Sequence, residues 1–250
     1  MSFDFRKAEH LPNNRPAEQG HADPAGLPRQ RRGTTPQMHG RYPDYDVLEQ
    51  AEHWDEVTRQ VVLDRVQNVP EFRFFTPEEI DTLRAFCDVV LAQDAEPRIP
   101  VLEYVDEKLF KGEGDGYQYV DMPDDRETWR LVARGLDAEA RALRKQSFAH
   151  LSLLEQLELC HLFANGKLHG EPWNRFNVSR AWQTVLRHAC EAFYSHPWAW
   201  NEIGFGGPAY PRGYARFGSP HLRGAEREEW EGAPAYERDP VRDVEARGLE

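Results

Sequence analysis

Along the middle of the chain apolar residues return at intervals of three and four, the spacing that gathers them on one side of an α-helix. The pattern starts at Asp46, which is placed to cap a helix carrying Val47, Trp54, Val57, Val61, Val62 and Val66 until Pro70 stops it. At Thr76-Pro77-Glu78-Glu79 the cap, the first-turn proline and the capping-box glutamate fall in order. Behind them Ile80, Leu83, Phe86, Cys87, Val90 and Leu91 form a stripe. A turn from Asp94 to Pro100 leads to Leu102, Val105, Leu109 and Phe110, again at helical spacing. From Asp125 a further helix presents Trp129, Val132, Ala133, Leu136, Ala140 and Leu143. Ser152 and Glu155 make a second capping box, opening a helix with Leu154, Leu157 and His161 on its apolar side and ending at Asn165-Gly166. Ser179 starts the last helix, with Trp182, Val185, Leu186, Ala189 and Phe193, and Pro197 closes it.

No stretch alternates apolar and polar residues over a useful length, and no repeat is present. The pattern therefore predicts an all-α fold, a single irregular bundle of about six helices over residues 44–200. Residues 1–43 are rich in Pro, Gly, Asn, Gln and charge, with too few large apolar side chains to offset the entropy of ordering, and read as a flexible arm. Residues 201–222 form a Gly/Pro strap studded with rings, and 223–250 a charged tail.

The formal charge of −12 and a pI near 5.3 argue against nucleic acid or an anionic membrane as main partner, because phosphate binding needs clustered positive charge. No apolar run approaches the roughly 20 residues that cross a bilayer. The N-terminal residues lack the apolar region of a secretion signal. Arg31-Arg32 is followed by Gly33-Thr34-Thr35-Pro36-Gln37 where a twin-arginine signal would turn apolar. On this reading the chain stays in the cytoplasm. Cys87, Cys160 and Cys190 are odd in number and widely spaced, which writes neither a disulfide framework nor a zinc site; each reads as a buried small hydrophobe.

Gly204, Gly206 and Ala209 have the spacing of a dinucleotide-binding turn, but that turn needs a buried strand before it and a helix after it. Here a helix ends just before, and Pro208 and Pro211 stand where the next should run. Glu158 and His161 form a Glu-x-x-His pair of the kind that supplies two ligands in helical di-iron proteins. Its second copy is missing, so a hydrogen-bonded histidine at a packing seam is the simpler expectation. The loop from Lys111 to Asp125, with Glu113, Asp115, Asp121, Asp124 and Asp125, fails as a calcium loop because Lys111 falls at position 1 when Gly116 is aligned. A solvated acidic loop is the expectation, a weak divalent-ion site the alternative.

The densest chemistry is aromatic: Tyr194, Trp198, Trp200, Phe205, Tyr210 and Tyr214, separated by Pro and Gly. These rings either pack over the chain's own helices or anchor a protein partner, a setting in which Trp and Tyr are enriched.

Three stretches, FFTPEEIDTLRAFCDVVLAQD, IPVLEYVDEKLFKGEGDGYQYVDMP and above all FYSHPWAWNEIGFGGPAYPRGY, resemble the gluconate 2-dehydrogenase subunit 3 family, over about residues 44–222. The resemblance implies a small helical subunit with no cofactor and no catalytic or metal-binding residue of its own. Its implied partner is a large FAD-dependent subunit of the glucose-methanol-choline (GMC) oxidoreductase type, often accompanied by a cytochrome c subunit. Tyr194, Trp198, Trp200, Phe205, Tyr210 and Tyr214 are then the expected contact surface. Many such subunits carry a twin-arginine signal; with a polar arm in its place, a periplasmic location requires export together with the partner. The rival expectations are a helical metal-dependent oxidase using Glu158 and His161, and an interaction module for a partner without flavin. A core of this size has a radius of gyration of about 15 Å. An arm of about forty residues can stretch to roughly 130 Å and so embrace a larger neighbour.

Overall fold

A computed structural model describes residues 46–93, 96–114, 116–203, 205, 207 and 208. The expected arm 1–43, the tail 223–250 and most of the strap lie outside these residues. Among the described residues seven α-helices form: α1 (Glu56–Gln67), α2 (Pro77–Val90), α3 (Val101–Lys111), α4 (Asp125–Arg144), α5 (Leu153–Ala164), α6 (Val178–Tyr194) and α7 (Pro197–Ile203). Short 3-10 segments run over Val47–His53, Phe148–His150 and Trp173–Arg175, and no strand occurs among the described residues. The all-α expectation holds. By contacts the chain divides into two units, one of residues 69–195 and one that joins residues up to 68 with those from 196 onward.

In the unit 69–195, α2 begins as the sequence demands. Thr76 N donates to Glu79 Oε2 at 3.0 Å and Glu79 N donates to Thr76 Oγ1 at 3.4 Å, closing the capping box. Leu83, Phe86 and Cys87 are buried where α2 packs on α3, α4 and α5. The buried face of α4 carries Trp129, Val132, Leu136 and Ala140. Gly135 lies on that helix because a Cβ there would stand 2.4 Å from the Trp173 ring. The Trp173 indole lies on bare backbone and donates to Glu139 Oε1 at 3.0 Å. Phe86, Phe163, Trp173 and Trp182 join in a chain of tilted and edge-on rings, the geometry aromatic quadrupoles favour.

Three expectations change here. The buried face of α5 is Gln156, Leu159, Cys160 and Phe163, whereas Leu154, Leu157 and His161 are exposed. The helix is apolar almost all round, so periodicity alone could not choose its inner side. Asn177, not Ser179, caps α6, its Oδ1 accepting from Arg180 N at 3.1 Å. Pro197, expected only to end a helix, stands at the first position of α7, where its missing N–H costs nothing.

The entry to α2 is held by a residue from α3. Asp106 is fully buried, and its carboxylate accepts the backbone N–H groups of Arg73 (2.7 Å), Phe74 (3.0 Å) and Phe75 (2.9 Å). Arg130 of α4 donates to the Phe74 carbonyl at 3.0 Å and lies over the Phe74 ring, while Phe75 packs on Trp129. A second, part-buried link joins α2 to α4: Asp137 Oδ1 accepts from Thr82 Oγ1 at 2.8 Å and from Phe148 N at 2.9 Å. The Gln93 side chain closes the loop before α3 by accepting from Ile99 N and donating to Ile99 O.

In the other unit the single helix expected from Asp46 is two elements. Asp46 does cap, accepting from Leu48 N at 3.0 Å, but it opens the 3-10 segment Val47–His53 rather than an α-helix. Trp54 is extended, and Asp55 caps α1 through Thr58 N. The break turns Val62, Leu63 and Val66 inward and leaves Val57 and Val61 exposed. Val47 N donates to Asn201 Oδ1 of α7 at 2.8 Å. Gly207 needs its left-handed backbone, with φ of 80°, to lie against Trp54 and Val47. His196 is buried; its Nδ1 accepts from Trp198 N at 3.2 Å and its ring also bonds the Arg65 backbone. Burial pushes the imidazole down to about 3, so His196 is neutral at physiological pH.

Both Asp106 and His196 bear directly on stability. Asp106→Ala leaves three N–H groups, those of Phe74 and Phe75 buried, without their acceptor and is expected to cost about 3–5 kcal/mol in urea unfolding, with Asp106→Asn, which keeps one acceptor oxygen, costing less. A loss below about 1 kcal/mol for the alanine variant contradicts the role given to Asp106. For His196, both states are neutral above about 6.5; below it the unfolded chain takes up a proton that the folded chain refuses until about 3. Stability is therefore lost as pH falls from 6.5 toward 3, approaching about 1.4 kcal/mol per pH unit. His196→Gln should flatten that slope in unfolding measured between pH 6.5 and 5, where few carboxylates titrate; parallel curves for the two proteins would refute it.

Candidate partner interface

Four of the six ring positions expected to meet a partner lie in the described residues, and they divide. Trp198 and Trp200 are only 6% exposed and serve α7 itself. Trp198 packs edge-on to His196 with centroids 4.8 Å apart, and Trp200 packs edge-on to Phe205 at 5.5 Å. Phe205 is half-buried, its N–H donating to the Trp200 carbonyl at 2.9 Å. Tyr194, at the end of α6, is 45% exposed with one face on Phe193. Tyr210 and Tyr214 lie outside the described residues.

The other candidate chemistries disperse in space. Gly204, Gly206 and Ala209 lie outside the described residues; the segment ahead of them is the helix α7, where a dinucleotide-binding turn requires a buried strand. Glu158 and His161 are exposed on the outer side of α5, and the contact of His161 is with Asn165, one turn on, so it stands at no packing seam. Among the described residues no three His, Cys, Asp or Glu side chains gather as metal ligands. Burial pushes the Cys160 thiol up to about 12 and raises Cys87 as well; Cys190, half-buried, is raised by burial and by Glu191. A thiol so raised supplies almost no thiolate, the form that attacks or binds metal.

The acidic loop is built into the fold. Asp121 accepts from Asn177 Nδ2 at 3.1 Å and from Arg180, Asp124 caps α4 through Glu127 N at 2.7 Å, and Asp125 stands 3.9 Å from the buried His188. On its outer side Tyr117 accepts from Arg187 at 3.1 Å and Tyr119 lies under the Arg180 guanidinium. A small cavity of about 160 Å³ opens between α2 and α3 beside Cys87. Its charged groups are tied up in pairs: Arg84 pairs with Glu103 at 2.9 Å, and Arg98 pairs with both Asp88 and Glu96.

Periodicity did not reveal the exposed row Leu153, Leu154 and Leu157 on α5. Its signal was present in the sequence, since a 12-residue helix with eight apolar residues has more than one face can bury. No described helix is long and apolar enough to cross a membrane.

The sequence model of the family described as Gluconate 2-dehydrogenase subunit 3 matches residues 77–207. No curated protein and no solved structure matches the chain. The matched stretch runs from the first residue of α2 to the glycine packed on Trp54 and takes in more than half of the sequence: the chain belongs to the gluconate 2-dehydrogenase subunit 3 family.

Proposed function

We propose that this chain is a noncatalytic small subunit that binds and stabilises a large FAD-dependent dehydrogenase of the GMC type acting on a sugar, polyol or alcohol. The family match over residues 77–207 carries the reading. The chemistry of the described side chains agrees with it. The thiols are raised by burial, His196 is held neutral, and Asp46, Asp55, Asp106, Asp124 and Asp137 are occupied in accepting backbone or hydroxyl hydrogens. On this reading FAD belongs to the partner, and this chain supplies shape.

Within the aromatic segment the two roles separate. Trp198 and Trp200 keep α7 in place, and Tyr194, with Tyr210 and Tyr214 further on, faces the partner. A half-exposed tyrosine, with an apolar ring and a polar tip, is a suitable anchor for such a contact.

The full chain, tagged and expressed in its native host, should co-purify with a large polypeptide that carries flavin absorbance, identified by mass spectrometry. Alone it should reduce no dye with gluconate, glucose, fructose or sorbitol. Tyr194→Ala is expected to lower the flavin recovered per chain about five- to tenfold without shifting the melting temperature. Turnover by the isolated chain, or recovery without any flavoprotein, defeats the reading.

A further inference from the structure

α5 is amphipathic in neither direction. Its inner side, Leu159, Cys160 and Phe163 with Gln156 bonded to the Phe148 carbonyl at 3.0 Å, is complete within the unit 69–195. Its outer side begins with Leu153, Leu154 and Leu157, exposed by 57, 78 and 44%. These positions share the first turn and a half, so the three side chains form one patch rather than scattered apolar surface. Leu143, at the end of α4, is exposed as well.

The patch is held rigidly. Ser152 and Glu155 close a capping box at the start of α5, and Arg144 of α4 pairs with Glu155. A leucine row on a helix already formed needs no backbone ordering before it docks, which lowers one of the usual costs of association.

Charge decides between occupants. α5 contains no Lys or Arg, and with Glu155 paired to Arg144 its exposed carboxylate beside the leucines is Glu158. Residues 46–208 hold 29 acidic and 17 basic residues, so they carry the whole net charge of −12. A second copy of this chain would bring like charge against like at this face. An apolar groove with a basic rim on a different protein satisfies both the leucines and the glutamate.

We propose that the outer face of α5, built on Leu153, Leu154 and Leu157 with Glu158 at its edge, is a docking surface for the large subunit, received in an apolar groove rimmed by Lys or Arg. The inference rests on the subunit reading above and adds to Tyr194 a second contact region, which the sequence pattern had assigned to the core.

The test compares three tagged full-length chains in the native host: wild type, Leu154→Gln/Leu157→Gln, and Glu158→Lys. Readouts are flavin bound per chain at low and high salt, melting temperature, and the mass of the isolated chain in solution. The leucine variant is expected to recover about tenfold less flavoprotein with an unchanged melting temperature. Glu158→Lys should bind less at low salt, and its binding should fall less with added salt than that of wild type. Because Glu158 lies on the surface, its variant keeps the test valid even if the leucine variant melts early. Undiminished flavoprotein on both variants overturns the α5 surface and leaves the subunit reading standing. No flavoprotein with wild type overturns both. A wild-type dimer that the leucine variant dissociates assigns the face to self-association and overturns the proposal.

Discussion

A carboxylate with no access to water holds the larger unit in order. Burying Asp106 is costly unless its oxygens are fully bonded, and the extended backbone at Arg73, Phe74 and Phe75 supplies the three N–H groups that do so. The arrangement satisfies both partners, since those N–H groups belong to neither helix nor sheet and would otherwise be orphaned. It fixes where α2 begins relative to α3. α2 is the helix against which α3, α4 and α5 all pack, so the position of the α5 surface depends on it.

The same economy recurs elsewhere among the described residues. Several carboxylates are engaged in holding the fold: Asp46, Asp55 and Asp124 cap helices, and Asp137 accepts from the Thr82 hydroxyl and the Phe148 N–H. Asp121 ties the acidic loop to the start of α6 through Asn177 and Arg180. The buried thiols and His196 are kept in their neutral forms by desolvation. The chain belongs to a dehydrogenase subunit family, and under the role proposed above what it would offer a neighbour is geometry, charge and apolar surface.

Two regions are suited to that purpose and they differ in kind. Tyr194 is one ring at the end of α6, beside a segment whose tryptophans are occupied internally. α5 presents a row of aliphatic side chains on a capped helix with Glu158 exposed beside them. The first suits a point anchor and the second a groove, so a partner could use both without competition between them.

The sequence by itself determined the all-α class and the starts of α2 and α5, because caps and capping boxes are contacts between residues three apart and need no tertiary context. It also determined the inner face of α2 and, apart from Leu143, which was expected inside and stands exposed at the helix end, that of α4, where a single stripe is apolar and the opposite side is polar. Tertiary structure decided the rest. Apolar on both sides, α5 was oriented by what its neighbours could bury, which left Leu154 and Leu157 outside. Asp106 sits within the apolar stripe Leu102, Val105 and Leu109, where an acid marks a buried acceptor, yet only the fold identifies the N–H groups of residues 73–75 as its donors. Gly135 is legible as a helical glycine, but its cause is a Trp173 ring 38 residues away in sequence. The division at Trp54 comes from Asp55 competing with Asp46 as a cap, a choice settled by packing against α7. Local hydrogen bonding is written in neighbouring residues, whereas the choice of which apolar face and which acid go inside depends on surfaces that meet only when distant segments come together.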